Sequence, residues 1–214
     1  PREDIPALAK EIREFLVAAT EKNGGHLASN LGIVEITLAI HKVFNSPEDH
    51  IIFDVGHQSY VHKLITGRRD QFDSLRTPGG LSGFPSIKES CHDAFGTGHS
   101  STSISAGIGL ATADKLQGKP NHTVCVIGDG AFTGGMIHEA LNNVTPDLPL
   151  VIILNENGMA ISKNRGAFAD LIANFRSGKK HREENTSLIA SLPLIGKKLS
   201  GALTSMKKKI KGVF

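Results

Sequence analysis

The chain has 214 residues, of which 39% are hydrophobic and 21% are charged, and its formal net charge is +3 at pH 7. This length and composition are typical of one α/β domain, or of one domain with an appendage, and no apolar run approaches the roughly 20 residues that a membrane-spanning helix needs. Two cysteines without metal-type pairing, and an N-terminus without the pattern of a secretory signal, predict a cytoplasmic protein with no membrane partner.

Two amphipathic helices are predicted at the start of the chain. Apolar residues recur at helical spacing between Ile5 and Leu16, and the run Asn23-Gly24-Gly25 ends this first helix. A second period of 3.6 residues runs from Ile33 to Phe44, and Asn30 is the candidate N-cap of this second helix.

The next part of the chain predicts a buried strand, a long loop and a third helix. Residues 51–54 form a short apolar run that delivers Asp54 and His57 to the carboxyl end of a strand. The polar passage from Thr77 to His99 is rich in Gly and Pro, and loops of this length in compact domains are usually functional or disordered. Small and apolar residues then predict a helix over 101–116.

A strand, helix, strand unit follows. The predicted strands cover Val124 to Ile127 and Leu150 to Leu154, and the helix between them covers Gly134 to Asn143. About 30 residues is the size of a right-handed crossover between parallel strands. The predicted fold class is therefore α/β, with a parallel sheet and helices on both of its faces.

The end of the chain is basic. From residue 176 to 214, ten Lys or Arg residues accompany two Glu residues. We predict an α/β domain over 1–175 and a loosely structured, basic helical tail or linker over 176–214. Basic stretches also bind nucleic acid or anionic membranes. Abundant glycine and scarce aromatic residues favour a small-molecule site over a base-stacking surface, so neither partner is expected.

Polar residues stand at the carboxyl ends of three predicted elements, namely His57, Asp129 and Asn157. Parallel sheets bind their ligands beyond the carboxyl ends of the strands. Asp129 is flanked by glycines that let a ligand approach the backbone, and Asn157 follows the neighbouring strand. One carboxylate and one amide oxygen suffice for Mg²⁺ when a diphosphate completes the shell of ligands. The pattern therefore predicts a magnesium and diphosphate site.

Three histidines differ from the other seven. His26, His57 and His99 each follow a glycine in a loop beside a predicted element, so all three are candidates for one crevice. The other seven are expected to be surface or satisfied core residues. The sequence contains neither a P-loop nor a Gly-x-Ser-x-Gly elbow, and Cys91 and Cys125 are expected to be inert.

Five short motifs follow one another along the predicted domain. They are Gly25-His26-Leu27-Ala28-Ser29, Asp54-Val55-Gly56-His57-Gln58, Gly98-His99-Ser100-Ser101-Thr102-Ser103, Gly128-Asp129-Gly130-Ala131 and Asn155-Glu156-Asn157-Gly158-Met159. In this combination, over about residues 5–175, the sequence resembles the N-terminal thiamine-diphosphate domain of the 1-deoxy-D-xylulose-5-phosphate synthase family. Transketolases share the Gly-Asp-Gly motif, but the run from Asp54 to Lys63 favours the synthases.

The resemblance implies a thiamin-diphosphate-binding fold and a role for each motif residue. Asp129, Asn157 and the Met159 carbonyl would ligate Mg²⁺. The residues implied to contact thiamine diphosphate are His57, Gly98, His99, Ser100, Gly130, Ala131 and Asn157. The implied catalytic residues are His26, His57 and His99, of which His26 would lie near the reacting carbon as a proton-transfer group.

The family decarboxylates pyruvate and joins the two-carbon fragment to D-glyceraldehyde 3-phosphate, as a homodimer. Its activating glutamate belongs to a pyrimidine-binding domain that these 214 residues do not contain, so we expect the isolated polypeptide to be inactive. Two alternatives stay open. The chain could be a non-catalytic paralogue that binds thiamine diphosphate, or a split-subunit partner that works with a separate chain.

Overall fold

The computed structural model describes residues 4–156. Asn157, Met159, the basic tail and the predicted domain boundary at residue 175 lie outside this range. The helices are α1 (Ile5–Asn23), α2 (Leu27–Leu31), α3 (Val34–Val43), α4 (Tyr60–Lys63), α5 (Ser103–Leu116), α6 (Asp129–Phe132) and α7 (Gly135–Asn142). The strands are β1 (His50–Phe53), β2 (Thr123–Gly128) and β3 (Leu150–Asn155).

The three strands form a parallel sheet in the order β1-β2-β3. Ile52 of β1 lies beside Cys125 of β2, which in turn lies beside Ile152 of β3. The central strand β2 is buried along most of its length, as expected for a continuous apolar run inside a parallel sheet. The predicted α/β class and the parallel pairing are confirmed.

Helices cover both faces of this sheet. On one face, Ile33 and Ile40 beside and within α3 pack with Ile51, Phe53 and Val124. Alternate strand residues point to the opposite face, where residues of α5 and α7 pack on them. This second cluster is formed by Ile52, Ile104, Cys125, Ile127, Ile137 and Ala140.

The N-terminal helices build a third apolar cluster beside the sheet. The buried face of α1, with Ala9, Ile12 and Leu16, packs on α3 and on the chain that follows α4. Helix α1 ends at Gly24, whose φ of 71° is accessible to glycine at little cost. No helix of the described part of the chain is long and apolar enough to cross a membrane.

One prediction about local structure was wrong, and one short helix was not predicted, although the helix predicted over Gly134 to Asn143 is confirmed as α7. Asn30 does not cap the second helix, because it lies within α2, fully buried, and its side chain bonds to the backbone of distant loops. Ile33 occupies the N-cap position of α3 instead. The chain after β2 also forms an extra short helix, α6, that begins at Asp129, whereas the sequence predicts a helix only from Gly134.

Between α4 and α5 the chain is mostly irregular. A kinked turn (Leu64–Arg68), in which Thr66 and Gly67 leave helical geometry, and a 3₁₀ helix (Arg69–Ser74) follow α4 directly. Loops and turns then continue to the start of α5. This passage includes the predicted 77–99 loop. It carries side chains that pack against the site described next.

Candidate functional site

The carboxyl end of β1 holds a buried carboxylate that organises the neighbouring loop. Asp54 is 1% exposed and accepts hydrogen bonds from the backbone N–H groups of Ser101 (2.7 Å) and Ser103 (3.0 Å). Ser103 begins α5, so the carboxylate satisfies N–H groups at a helix start and lies where the helix dipole favours negative charge. Asp54 thereby anchors the loop that contains Gly98, His99 and Ser100.

Ser101 joins this loop to the carboxyl end of β2. Its φ is 68°, and its hydroxyl donates a hydrogen bond of 2.7 Å to the carbonyl oxygen of Ala131 in α6. A Cβ atom added to Gly134 would lie only 2.0 Å from Ser101 Oγ, so α7 begins in close contact with the same residue. The ends of β1 and β2 are thus connected through one side chain.

Gly98, His99 and Ser100 form the exposed part of the loop. The His99 N–H donates to Thr97 Oγ1 (3.1 Å), and its carbonyl accepts from Thr102 Oγ1 (3.1 Å). These bonds leave the His99 ring in an exposed position, where it can contact a ligand.

His26 and His57 lie in ring contact. Their ring centroids are 5.5 Å apart at an interplanar angle of 76°. The Asn30 amide donates to the carbonyl oxygens of both residues at 2.8 Å, and its own oxygen accepts from the N–H of Tyr60 at 2.8 Å. The structure therefore brings together two of the three predicted histidines, and His99 is not part of their contact.

The electrostatics keep both rings neutral near pH 7. Burial lowers the pKa of His26, and the nearby Arg76 guanidinium lowers it further. Burial also lowers the pKa of His57, as does its proximity to His26. The Nδ1 atoms of both rings are buried without a hydrogen-bond partner within residues 4–156. Imidazoles that are neutral near pH 7 are suited to proton transfer.

Asp129 follows β2 directly and is 8% exposed. One of its carboxylate oxygens accepts a hydrogen bond of 2.9 Å from the N–H of Gly130. A Cβ atom added to the preceding Gly128 would meet no atom within 4 Å, so the space beside that glycine is open. Oxygen ligands of this kind suit a hard cation such as Mg²⁺.

The other two predicted metal ligands, Asn157 and Met159, lie outside the described residues. Within residues 4–156, no group of three or more His, Cys, Asp or Glu side chains has the arrangement of a metal site. The described part of the predicted ligand set is therefore Asp129 alone, and the magnesium site stays a prediction.

Cys125 is inert, as expected from its place in a buried strand. Burial raises the pKa of its thiol to about 12, so the reactive thiolate is scarce near pH 7. Its Sγ lies 3.3 Å from the carbonyl oxygen of Ser103, inside the apolar face beneath α5.

Three residues of the site were missed in the sequence. They are Asn30, Tyr60, whose hydroxyl accepts from the N–H of His26 at 3.4 Å, and Phe84, whose ring centroid lies 5.6 Å from that of His26. Asn30 stands four residues after His26, a spacing that places two residues on one side of a helical turn. Phe84 carried no signal beyond its place in the long loop.

Comparison with known proteins places the chain in one family. Residues 1–214 match the family described as 1-deoxy-D-xylulose-5-phosphate synthase. Curated 1-deoxy-D-xylulose-5-phosphate synthases from Caldanaerobacter subterraneus subsp. tengcongensis and Syntrophomonas wolfei are 53% and 52% identical, each over 97% of this chain. 1-Deoxy-D-xylulose-5-phosphate synthase 1 from Geobacter sulfurreducens is 50% identical over 99% of this chain. The match covers 34%, 33% and 34% of these three proteins, so the chain spans about a third of their length.

Proposed function

Because this chain belongs to the 1-deoxy-D-xylulose-5-phosphate synthase family, we propose that it binds the diphosphate end of thiamine diphosphate together with Mg²⁺. The observation that carries the proposal is the link between two strand ends through Ser101. Asp54 after β1 fixes the backbone of Ser101, and the Ser101 hydroxyl bonds to Ala131, two residues after Asp129. The exposed loop 98–100 is thereby tied to the helix that carries the proposed metal ligand.

The described residues fit such a cofactor. Asp129 offers a carboxylate one residue after Gly128, where the space for a side chain is open, and Gly130 and Ala131 belong to the helix that begins at Asp129. Asn157 and the Met159 carbonyl would complete the protein ligands of Mg²⁺, on the strength of the sequence motif. Gly98, His99 and Ser100 would line the cofactor from the loop before α5.

Each group then has a definite task in the proposed reaction. When bound, thiamine diphosphate supplies the electron sink for decarboxylation, and the protein supplies binding and proton transfer. His26 and His57 are neutral near pH 7, so each ring can accept a proton and return it. Asn30 holds the backbone of both histidines, so the two rings keep their relative position while protons move.

The whole reaction would use pyruvate and D-glyceraldehyde 3-phosphate and release 1-deoxy-D-xylulose 5-phosphate and CO2, in a cytoplasmic homodimer. The reaction is assigned from the family and from its curated relatives, which are 1-deoxy-D-xylulose-5-phosphate synthases. The homodimer and the cytoplasmic location are expectations from the sequence and the resemblance. The 214-residue polypeptide by itself is expected to bind the cofactor without turning over substrates. Formation of 1-deoxy-D-xylulose 5-phosphate by the purified polypeptide would contradict the expected lack of turnover.

Calorimetric titration with thiamine diphosphate in the presence of Mg²⁺ tests the binding. We expect Asp129→Asn to weaken binding by roughly tenfold or more, since a neutral amide replaces the carboxylate that would face the cation. The matched control is Asp147→Asn, because Asp147 is exposed and pairs with Lys115 near the amino end of β3. Equal affinities of the Asp129→Asn variant and the unmodified chain, or no binding by the latter, would overturn the proposal.

A further inference from the structure

Four charged side chains, three of them buried and one partly buried, form a cluster that the proposed reaction does not use. This buried ion cluster consists of Lys63, Arg68, Glu89 and Asp93. Arg68 makes two hydrogen bonds to the Asp93 carboxylate, of 2.7 and 2.8 Å, and Lys63 Nζ lies 2.5 Å from Glu89 Oε2. The side chains of Lys63 and Asp93 are 0% exposed, that of Arg68 is 4% exposed and that of Glu89 is 18% exposed.

The charges of the buried ion cluster balance, with two cations facing two anions. Burial opposes ionisation of Asp93, but the hydrogen bonds from His62 and Arg68 hold the pKa of its carboxyl below the ordinary value. Removing four charges from water is costly, and apolar side chains of similar volume often stabilise a core as well. A geometric role is therefore a better explanation of the cluster than added stability.

The two carboxylates also bind the backbone of the loop between β1 and α5. Glu89 Oε1 accepts a hydrogen bond from the N–H of Ser82 at 2.6 Å, and Asp93 Oδ2 accepts one from the N–H of Ser86 at 2.7 Å. The two bonds flank Phe84 and Pro85. Lys63 and Arg68 are thus connected, through the two carboxylates, to both sides of this dipeptide.

Phe84 and Pro85 pack directly on the two histidines' loops. The Phe84 ring lies 5.6 Å from the His26 ring, at an interplanar angle of 56°. Pro85 packs on Gly56, where an added Cβ would lie 2.3 Å from Pro85 Cδ, and Gly56 has a φ of 88° and precedes His57. A displacement of the Phe84-Pro85 dipeptide would therefore be transmitted to His26 and to the backbone beside His57.

We infer that Glu89 and Asp93 are positioning residues, which hold Phe84 and Pro85 against His26 and His57 through the buried ion cluster. The catalytic meaning of this inference rests on the proposed function, in which these two histidines transfer protons. Its structural content does not, because the position and protection of His26 are measurable without cofactor or substrate. A cluster that only stabilised the fold would lower the stability and leave the His26 environment of the folded molecules unchanged.

The test compares three variants of the 214-residue chain. Glu89→Gln removes the charge from the more exposed carboxylate, Phe84→Leu removes the ring and leaves the cluster intact, and Asp147→Asn breaks an exposed ion pair elsewhere. Circular dichroism checks that each variant is folded. If Glu89→Gln is unfolded, Glu89→Asp replaces it in the same measurements. This variant keeps the charge of the cluster, and its side chain is shorter by one methylene, so it reaches the backbone of Ser82 less well.

Two readouts report on His26 in the folded chains. The first is the NMR shift of the His26 ring proton, assigned with a His26→Gln variant, which responds to the Phe84 ring current. The second is the rate of carbethoxylation of His26 by diethylpyrocarbonate, measured by peptide mass spectrometry relative to His122 in the same sample. We expect Phe84→Leu and Glu89→Gln to shift the resonance in the same direction and to raise the relative rate by roughly threefold to tenfold.

The outcomes separate the inference from the proposed function. An unchanged His26 resonance and rate in Glu89→Gln, with a clear change in Phe84→Leu, would overturn the inference. So would an equal change in Asp147→Asn, or no change in any variant. Failure of the unmodified chain to bind thiamine diphosphate with Mg²⁺ would overturn the proposed function alone, and the His26 readouts would still decide whether the cluster positions this ring.

Discussion

Replacement of Asp54 by Asn tests how the loop before α5 is held. The Asp54 carboxylate accepts two backbone hydrogen bonds, from Ser101 at 2.7 Å and from Ser103 at 3.0 Å, and it is 1% exposed. In the part of the chain that the structure describes, no cation pairs with this carboxylate. The favourable contacts of the carboxylate therefore come from those two N–H groups and from the start of α5.

The magnitude follows from counting acceptors. The two N–H groups bond to different oxygens of the Asp54 carboxylate, and Asn replaces one of these oxygens with an NH₂ group, which then faces a donor. Hydrogen bonds to charged groups contribute about 1.5–3 kcal/mol, and a buried donor left without an acceptor costs a similar amount. We expect the free energy of unfolding to fall by ~2–3 kcal/mol, which is roughly a 30-fold to 160-fold change in the equilibrium constant.

Urea denaturation and amide hydrogen exchange measure the effect. The Asp54→Asn variant is expected to lose exchange protection first at the amides of Ser101 and Ser103, and to bind thiamine diphosphate more weakly because the loop 98–100 is released. The exposed variant Asp147→Asn is expected to change the stability by less than about 0.5 kcal/mol. If Asp54→Asn unfolded at the same urea concentration as that control, the carboxylate would not anchor the loop.

Two further predictions concern packing and pH. A Cβ at Gly107 would lie 2.4 Å from Cys125 Sγ, whereas one at Gly109 of the same helix would meet nothing within 4 Å. Both Ala variants gain the same helix propensity, so the difference between them reports the packing. In urea denaturation, Gly107→Ala should be ~1–3 kcal/mol less stable than Gly109→Ala. Equal stabilities would contradict close packing of α5 on β2. Burial lowers the pKa of His41 to about 4, below the ordinary value of 6.5. As the pH falls, the unfolded chain therefore binds a proton at this residue before the folded chain does. The free energy of unfolding should decrease as the pH drops from 6.5 towards 4. Urea midpoints measured across that range should fall less steeply in His41→Gln than in the unmodified chain, and parallel slopes would refute this cause.

The sheet and its edge could be predicted because their signals are local. Ile51 to Phe53 and Val124 to Ile127 are continuous apolar runs, which strands buried on both faces of a parallel sheet require. Asp54 and Asp129 stand directly after these runs, and the parallel pairing of β1 and β2 brings both to one edge. Positions of this kind follow from the pattern of a few neighbouring residues.

The contacts that hold the site could not be predicted in this way. Asn30 was predicted to be a helix cap, because an Asn directly before an apolar helical period is typical of a capping residue. The local sequence does not distinguish this role from that of a buried amide within a short helix. His62 was expected to be a surface or satisfied core residue, and it proves to be buried with Asp93, 31 positions later in the chain. Such pairs depend on how distant loops return to each other, and one sequence does not contain that information in any short window.

Asn30 also restricts how this protein could be redesigned. A side chain at this position has to supply two N–H donors and one acceptor within a short reach, and among the standard amino acids only Asn and Gln carry such an amide. Gln is longer by one methylene, and the position is 0% exposed, so the longer side chain cannot extend into solvent. A mutant library aimed at the specificity of the candidate site should therefore leave Asn30 unchanged. A substitution there would displace His26 and His57 together and would obscure the contribution of either one.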